Sequence, residues 1–159
     1  VGKSSRTGIE SLMSWNLKPN FVFDASYTWS DFSFDNFIDK NNKDFSGSQL
    51  PGLPRSFAHF AFRYVNENGL NATYNFNYSG DLYANNANSV KVNSYSVSNF
   101  RLSYQINKGN WSILPYMGMN NIFDTEFNSN IRINAFGSRY YEPAPGRNSY
   151  LGIKFTRSM

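Results

Sequence analysis

Strict alternation of apolar and polar residues is the feature that most constrains the fold of this chain. The clearest case is residues 70–79, where every even position is apolar or aromatic and every odd position is small and polar. Successive side chains of a β-strand point to opposite faces, so such a run has one apolar face and one polar face. Helical periodicity is hard to find anywhere in the sequence. The pattern therefore predicts an all-β chain.

The same alternation predicts seven strands. Leu12 in the first and Pro115 in the sixth interrupt the pattern without abolishing it. Most of the strands are close to the roughly 9–11 residues that a tilted strand needs to cross a bilayer. The predicted strands are residues 6–17, 21–30, 55–65, 70–79, 95–106, 111–120 and 148–155.

The connections between these strands alternate in length. Short turns rich in Asn, Gly and Pro occupy residues 18–20, 66–69 and 107–110, and long loops occupy 31–54, 80–94 and 121–147. Short turns on one rim and long loops on the other are typical of an outer-membrane β-barrel. Aromatic residues near the strand ends suit the two membrane interfaces. They are Tyr27, Trp29, Tyr64, Tyr74, Tyr78, Tyr104 and Trp111.

Composition agrees with this interpretation and excludes several kinds of site. Of the 159 residues 18% are aromatic and only 16% are charged, whereas soluble domains average about 25% charged. The absence of Cys and the single His59 leave no thiolate or histidine cluster for a metal. The +4 charge is scattered, which argues against a nucleic-acid partner. Because the chain opens on Val1 without a methionine, we expect a piece of a longer protein.

Six segments, in the order in which they occur, resemble the C-terminal third of TonB-dependent outer-membrane receptors. The most specific are residues 118–124, which resemble the family's Asn-Leu-Phe-Asp signature, and residues 139–148, which resemble its final Pro-Gly-Arg re-entry. The remaining four are residues 5–10 (followed by Trp15 and Pro19), 25–29, 49–55 and 95–104. One departure is that residues 156–159 follow Phe155, whereas the last strand in this family usually ends on an aromatic residue.

The resemblance implies an antiparallel up-and-down transmembrane barrel of about 22 strands, of which residues 1–159 would supply the C-terminal seven. A plug domain and a TonB box would lie outside this chain. The implied function is active uptake of a ferric siderophore or other iron chelate across the bacterial outer membrane. The implied partners are bilayer lipid, lipopolysaccharide, the iron-chelate ligand, the TonB complex and, through the last strand, the barrel-insertion machinery. No cofactor is expected.

Recognition in such a receptor would use the long loops and the upper lumen. Ferric siderophores are often anionic and aromatic, so arginines could pair with their charge and aromatic rings could pack on them. The candidate ligand-binding residues are Arg132, Phe136, Arg139, Tyr140, Tyr141 and Arg147. Arg139 and Arg147 have a structural alternative, in which they hold the last re-entry of the chain.

The sequence shows no catalytic residues and no metal site. On the alternation, His59 faces the lumen together with Phe57 and Arg63. The acidic stretch 35–44 lacks the spacing of a calcium loop, so we interpret it as a solvated extracellular loop. Two other functions stay open at this point: a soluble, aromatic-rich β-sandwich that binds carbohydrate, and an outer-membrane barrel enzyme.

Overall fold

The computed structural model describes residues 2–158 of the chain. Within these residues it contains twelve β-strands and one 3-10 turn, Phe136–Ser138. No helix in this part of the chain has the length and apolarity needed to span a membrane. The strands are β1 (Lys3–Lys18), β2 (Phe21–Asn36), β3 (Ser56–Val65), β4 (Leu70–Ser79), β5 (Leu82–Tyr83), β6 (Lys91–Val92), β7 (Tyr95–Tyr104), β8 (Ile106–Lys108), β9 (Trp111–Asn120), β10 (Asn128–Ile131), β11 (Tyr141–Pro143) and β12 (Asn148–Arg157).

One antiparallel sheet contains all seven predicted strands. Its order is β1-β2-β3-β4-β7-β9-β12, and β8 extends β7 alongside β9. Each strand pairs with the next long strand along the chain, which confirms the up-and-down topology. The hairpins β5–β6 and β10–β11 form separate two-stranded sheets within the long connections. The sheet is open, and the count of 22 strands for a closed barrel stays a prediction.

The strand β2 is longer than predicted, because the alternation continues through residues 31–36 with its chemistry inverted. Up to Trp29 the odd positions of β2 carry the apolar side chains, but Asp31 is polar while Phe32 and Phe34 take the even positions. The ladder with β1 continues there, for example at Arg6 opposite Phe32, with one register shift between Lys3 and Ser4. The prediction of a loop from residue 31 was therefore wrong by six residues, and the first long loop is 37–55.

One face of the sheet, here called the apolar face, is a continuous layer of large apolar side chains. One row runs in register across six strands, through Trp15, Phe23, Phe62, Tyr74, Phe100 and Met119. The Phe23 and Phe62 rings lie 4.6 Å apart. No second layer covers this face within the described residues, and Leu151 is 87% exposed. A β-sandwich buries such a face between two sheets, so the sandwich interpretation was wrong.

The opposite face, here called the polar face, carries small polar side chains joined by cross-strand contacts. His59 lies on this face, as predicted, and its Nδ1 is 2.8 Å from the Asn77 side-chain oxygen. Asp24 accepts from Ser14 at 2.6 Å and pairs with Arg63 at 2.7 Å. These contacts join neighbouring strands across the polar face.

The residues after Phe155 are not an overhang. Thr156 pairs with Ser112 and Arg157 pairs with Trp111, so the ladder of β12 continues to the first residue of its partner strand β9. The strand is therefore ten residues long rather than eight. Met159 lies outside the described residues.

Candidate functional site

The three long connections meet at one rim of the sheet, because consecutive antiparallel strands place every second connection on the same side. We call them the first (37–55), second (80–94) and third (121–147) long loops. Backbone hydrogen bonds join them directly. The N–H of Gly52 donates to the Tyr83 carbonyl at 2.7 Å, and the N–H of Asn134 donates to the Ala84 carbonyl at 2.9 Å. The second long loop therefore bridges the other two.

Asparagine side chains strengthen both bridges. Asn88 adopts the left-handed conformation, with φ of 52°. Its side-chain oxygen accepts from the N–H of Gln49 at 2.7 Å, and its amide donates to the Gln49 carbonyl at 3.0 Å. Asn134 makes a similar reciprocal pair with Asn86, at 2.9 and 3.0 Å. Side-chain amides can supply a donor and an acceptor at once, so they can replace a missing strand pairing.

A cavity of about 700 Å³ lies between the second and third long loops. Aromatic rings form part of its wall: Tyr95 stacks on Phe127 with ring centroids 4.6 Å apart, and Tyr141 lies at the edge. Lys91 and Glu126 also line it. Such a volume, with aromatic and polar groups together, suits a small organic ligand.

One of the charged residues that line this cavity, Lys91, belongs to an ion pair. Lys91 lies 2.9 Å from Asp81. This hydrogen bond lowers the pKa of Asp81 and raises the pKa of Lys91. Both groups are exposed, so the pair fixes the position of the lysine more than it stabilises the fold. Hydrogen bonds from Asn130, and then from Arg132, likewise lower the pKa of Glu142.

The hairpin β10–β11 brings three of the six predicted ligand-binding residues together. The Nε of Arg132 lies 2.5 Å from Glu142, and its N–H donates to the Tyr140 carbonyl at 2.9 Å. The rings of Tyr140 and Tyr141 meet edge to face at 6.2 Å. Of these three residues, Tyr141 also lines the cavity.

The other three predicted residues lie apart from the cavity wall. Phe136 is 99% exposed in the 3-10 turn, and Arg139 follows this turn on the surface. The backbone N–H of Arg147 donates to Asp124 at 2.7 Å, and its guanidinium donates to the Ile122 carbonyl at 3.4 Å. Arg147 therefore holds the start of β12 against the end of β9.

Sequence reasoning missed Tyr95, Phe127 and Lys91 as cavity residues. One signal was present for Tyr95: it is a large ring on the polar face of β7, which carries the polar residues Asn99, Arg101 and Ser103 farther along the strand. Phe127 and Lys91 lie in loops without alternation, so nothing in the pattern marks them.

The polar face below the cavity has its own aromatic cluster. Tyr116 lies over Gly152, and Tyr150 lies over Gly118, on the paired strands β9 and β12. The guanidinium of Arg101 stacks on the Tyr116 ring at 4.7 Å. Each ring covers the bare backbone of the opposite glycine, an arrangement that pins the register of the two strands.

The described residues contain no group of three or more His, Cys, Asp or Glu side chains that could hold a metal ion. In the first long loop, Asp39 instead accepts from the backbone N–H groups of Asn41 at 2.8 Å and Lys43 at 2.9 Å. The hydrogen bond from Lys43 is the main reason that the pKa of Asp39 is lowered. This carboxylate organises a turn.

Known proteins resemble this chain over nearly its whole length. A curated relative, the probable TonB-dependent siderophore receptor PiuA of Acinetobacter baumannii, is 25% identical over 98% of this chain. The chain spans 21% of the length of that relative.

Solved structures agree on the fold. The siderophore receptor PiuA from Acinetobacter baumannii superposes with a TM-score of 0.79 at 23% identity, over 99% of this chain and 22% of that one. The ferric yersiniabactin uptake receptor FyuA from Yersinia pestis gives 0.73 at 21% identity, over 97% and 23%. The unliganded ferric citrate transporter FecA gives 0.82 at 19% identity, over 98% and 25%. These relatives are named as receptors or transporters rather than enzymes.

The family description "TonB dependent receptor-like, beta-barrel" matches residues 1–122. These residues include the first six of the seven long strands, up to and including β9, with two of the three long loops. Proteins of this family are β-barrels of the outer membrane of Gram-negative bacteria. The chain belongs to the TonB-dependent receptor β-barrel family.

Proposed function

We propose that the protein is an outer-membrane receptor that actively takes up a ferric siderophore or a related iron chelate, with energy supplied through TonB. The observation that supports this proposal best is the cavity at the long-loop rim of a sheet of this family. The curated relative is named as a probable siderophore receptor, which favours an iron chelate over other scarce ligands.

In this proposal residues 1–159 form the C-terminal part of the barrel wall. The plug domain and the TonB box belong to a longer protein, as the share of the relatives that this chain covers also suggests. Lipid contacts the apolar face, lipopolysaccharide contacts its long-loop edge, and the insertion machinery engages the edge of β12. In this proposal the plug domain closes the lumen, and the TonB box couples the receptor to TonB.

We expect aromatic side chains and arginines to have different parts in ligand recognition. Tyr95, Phe127 and Tyr141 offer aromatic surface inside the cavity, and aromatic pairs contribute about 0.5–1.5 kcal/mol each. Arg132 and Arg139 would attract an anionic chelate to the rim, because charge-assisted hydrogen bonds are the stronger class. Phe136, Tyr140 and Arg147 complete the candidate set. Phe136 could close over a ligand from the exposed turn that it occupies.

The proposal is tested by uptake of radioactive iron in cells that lack the receptor gene. We expect deletion to abolish uptake of at least one ferric siderophore under iron limitation, and full-length receptor to restore it only in cells with TonB. Replacing both cavity tyrosines, Tyr95→Ala and Tyr141→Ala, should lower apparent affinity by roughly tenfold or more, from about 1 kcal/mol per ring. Tyr104→Ala, on the apolar face, is the matched control.

Three results would each contradict a part of the proposal. Uptake of every ferric chelate could be unchanged by deletion while cobalamin or oligosaccharide uptake is lost, which would refute the iron substrate. Restoration of uptake in cells without TonB would refute the energy source. Equal losses for the cavity variants and for Tyr104→Ala, at equal surface amounts, would show that the cavity has no special part in recognition.

A further inference from the structure

The short-turn rim carries a second feature, which transport of a ligand does not explain. Lys108 and Trp111 form the last pair of the β8–β9 hairpin, and Trp111 also pairs with Arg157 at the end of β12. Three neighbouring strands thus place a cation, an indole and a second cation in one row. Strands lie about 4.8 Å apart, so the two cations start roughly 10 Å from each other.

This row faces outward. Trp111 continues the apolar positions of β9 that include Ile113 and Met117, and it is 48% exposed. The guanidinium of Arg157 lies over the Trp111 ring at 5.7 Å. Neither Lys108 nor Arg157 lies within 4.0 Å of a carboxylate in residues 2–158, where the ion pairs involve other cations. Within residues 2–158, both cations are therefore available to an anion from outside.

A second row lies directly beneath the first, toward the middle of the membrane. Ile113 pairs with Ile106 on one side and with Phe155 on the other. Ile106 and Phe155 are exposed on the apolar face, and Ile113 is half-buried between them. Two cations at the interface above a strip of apolar side chains match the chemistry of a phospholipid, in which an anionic headgroup lies above acyl chains.

The backbone holds this arrangement in place. Gly109 has φ of +58° in the two-residue turn, as the first position of a type II′ turn requires. Ser158 donates to the Asn110 carbonyl from its N–H at 2.9 Å and from its hydroxyl at 3.2 Å. The residues after Phe155 thereby fix Arg157 beside the turn. The other short turns lack such a pair: Lys18 stands alone near residues 19–20, and residues 66–69 contain Glu67 but no cation.

We propose that Lys108, Trp111 and Arg157, with the apolar row beneath them, bind one anionic phospholipid of the leaflet on the short-turn side. The headgroup phosphate lies between the two cations, and an acyl chain follows Ile113 and Phe155. This proposal rests on the membrane position of the family and not on the identity of the transported ligand.

The test uses the full-length receptor, delipidated in detergent and titrated with phosphatidylglycerol or phosphatidylcholine, with bound lipids counted by native mass spectrometry. For Lys108→Gln with Arg157→Gln we expect phosphatidylglycerol affinity to fall roughly fivefold per cation, since each contributes about 1 kcal/mol near a membrane surface. Phosphatidylcholine binding should not change. Lys40→Gln with Lys43→Gln removes the same charge from the first long loop and should have no effect.

The charge-preserving pair Lys108→Arg with Arg157→Lys should retain tight binding, which separates the loss of charge from a failure to fold. Unchanged phosphatidylglycerol affinity in the glutamine variant would overturn the proposal, as would an equal loss in the Lys40 and Lys43 control. Displacement of the lipid by millimolar inorganic phosphate would reduce the site to a simple anion site. If the glutamine variant lost lipopolysaccharide in preference to phosphatidylglycerol, the site would belong to the opposite leaflet from the one proposed. Each of these results would refute the phospholipid site as stated.

Discussion

The contact between Gly152 and Tyr116 predicts that Gly152→Ala destabilises the wild-type receptor but stabilises a receptor in which Tyr116 has been replaced by alanine. A Cβ added at Gly152 would lie 2.5 Å from the Tyr116 hydroxyl and from the adjacent ring carbon, closer than real Cβ atoms approach other atoms. The ring must therefore move in a Gly152→Ala variant. It then loses its packing across the strand pair and its stacking on Arg101, which lies 4.7 Å away.

The magnitude follows from three terms. Loss of the aromatic packing costs about 1 kcal/mol, and loss of an exposed cation–π contact costs about 0.5–1 kcal/mol. Against these, replacing a strand glycine by alanine stabilises by roughly 0.5–1 kcal/mol, because the unfolded chain loses freedom. We expect Gly152→Ala to destabilise the receptor by about 1 kcal/mol. In a Tyr116→Ala background the obstruction is gone, so the same substitution should stabilise by roughly 0.5–1 kcal/mol.

The assay is a double-mutant cycle on the full-length receptor in detergent micelles, with guanidinium unfolding followed by tryptophan fluorescence. The expected coupling free energy between positions 152 and 116 is about 1.5–2 kcal/mol. The matched control combines Gly152→Ala with Tyr150→Ala, since Tyr150 covers Gly118 instead, and should be nearly additive. A Gly152→Ala effect of equal sign and size with and without Tyr116 would refute the argument.

Three further predictions concern the long loops. Asn88→Ala should remove two hydrogen bonds to Gln49, costing roughly 1–2 kcal/mol locally, and should speed amide exchange in residues 37–55; unchanged exchange would contradict it. A hydrogen bond from Asn130 is the main reason that the pKa of Glu142 is lowered. The β10–β11 hairpin should therefore keep its stability above the ordinary glutamate pKa of 4.5 and lose stability as the pH falls through the lowered pKa. Hydrogen-exchange protection of the hairpin that does not change with pH, after correction for the intrinsic exchange rate, would count against this. Asn121 is 3% exposed, and its side chain hydrogen-bonds both the N–H and the carbonyl of Thr125. Asn121→Ala should therefore destabilise the receptor by about 2 kcal/mol, measured as a lower unfolding midpoint. An unchanged midpoint would contradict this prediction.

The seven long strands follow from sequence because alternation is a local signal that the bilayer reinforces on one face. Residues 70–79 illustrate this, since their predicted and observed bounds agree. The extension of β2 was not predicted, because the prediction required the same face of the strand to stay apolar along its whole length. Phe32 and Phe34 lie on the other face, as expected where a strand leaves the hydrocarbon and no longer needs an outward apolar surface.

The cavity could not be predicted from sequence, because its wall is assembled from segments that alternation does not order. Tyr95 and Phe127 meet only after the third long loop folds back over the second. The candidate residues were chosen instead for their chemistry near the final strand. That choice found Tyr141 on the wall, whereas Arg132 is paired with Glu142 and Arg147 holds the re-entry.

The two edges of the sheet differ in a way that constrains how a barrel could close. β1 has 16 residues and β12 has 10, which at about 3.3 Å per residue gives lengths of roughly 53 and 33 Å. Only the shorter length is close to what a tilted strand needs to cross about 30 Å of hydrocarbon. Unpaired backbone groups within that layer cost several kcal/mol each, so both edges need partner strands through this height. Beyond the hydrocarbon layer, β1 and β2 extend farther than β12, and water can solvate their backbone groups there. The third long loop has 27 residues, 121–147, which is long enough to continue the wall above the shorter strands β9 and β12. Uneven wall height thus explains why the longest connection, with its own hairpin, follows the shorter strands.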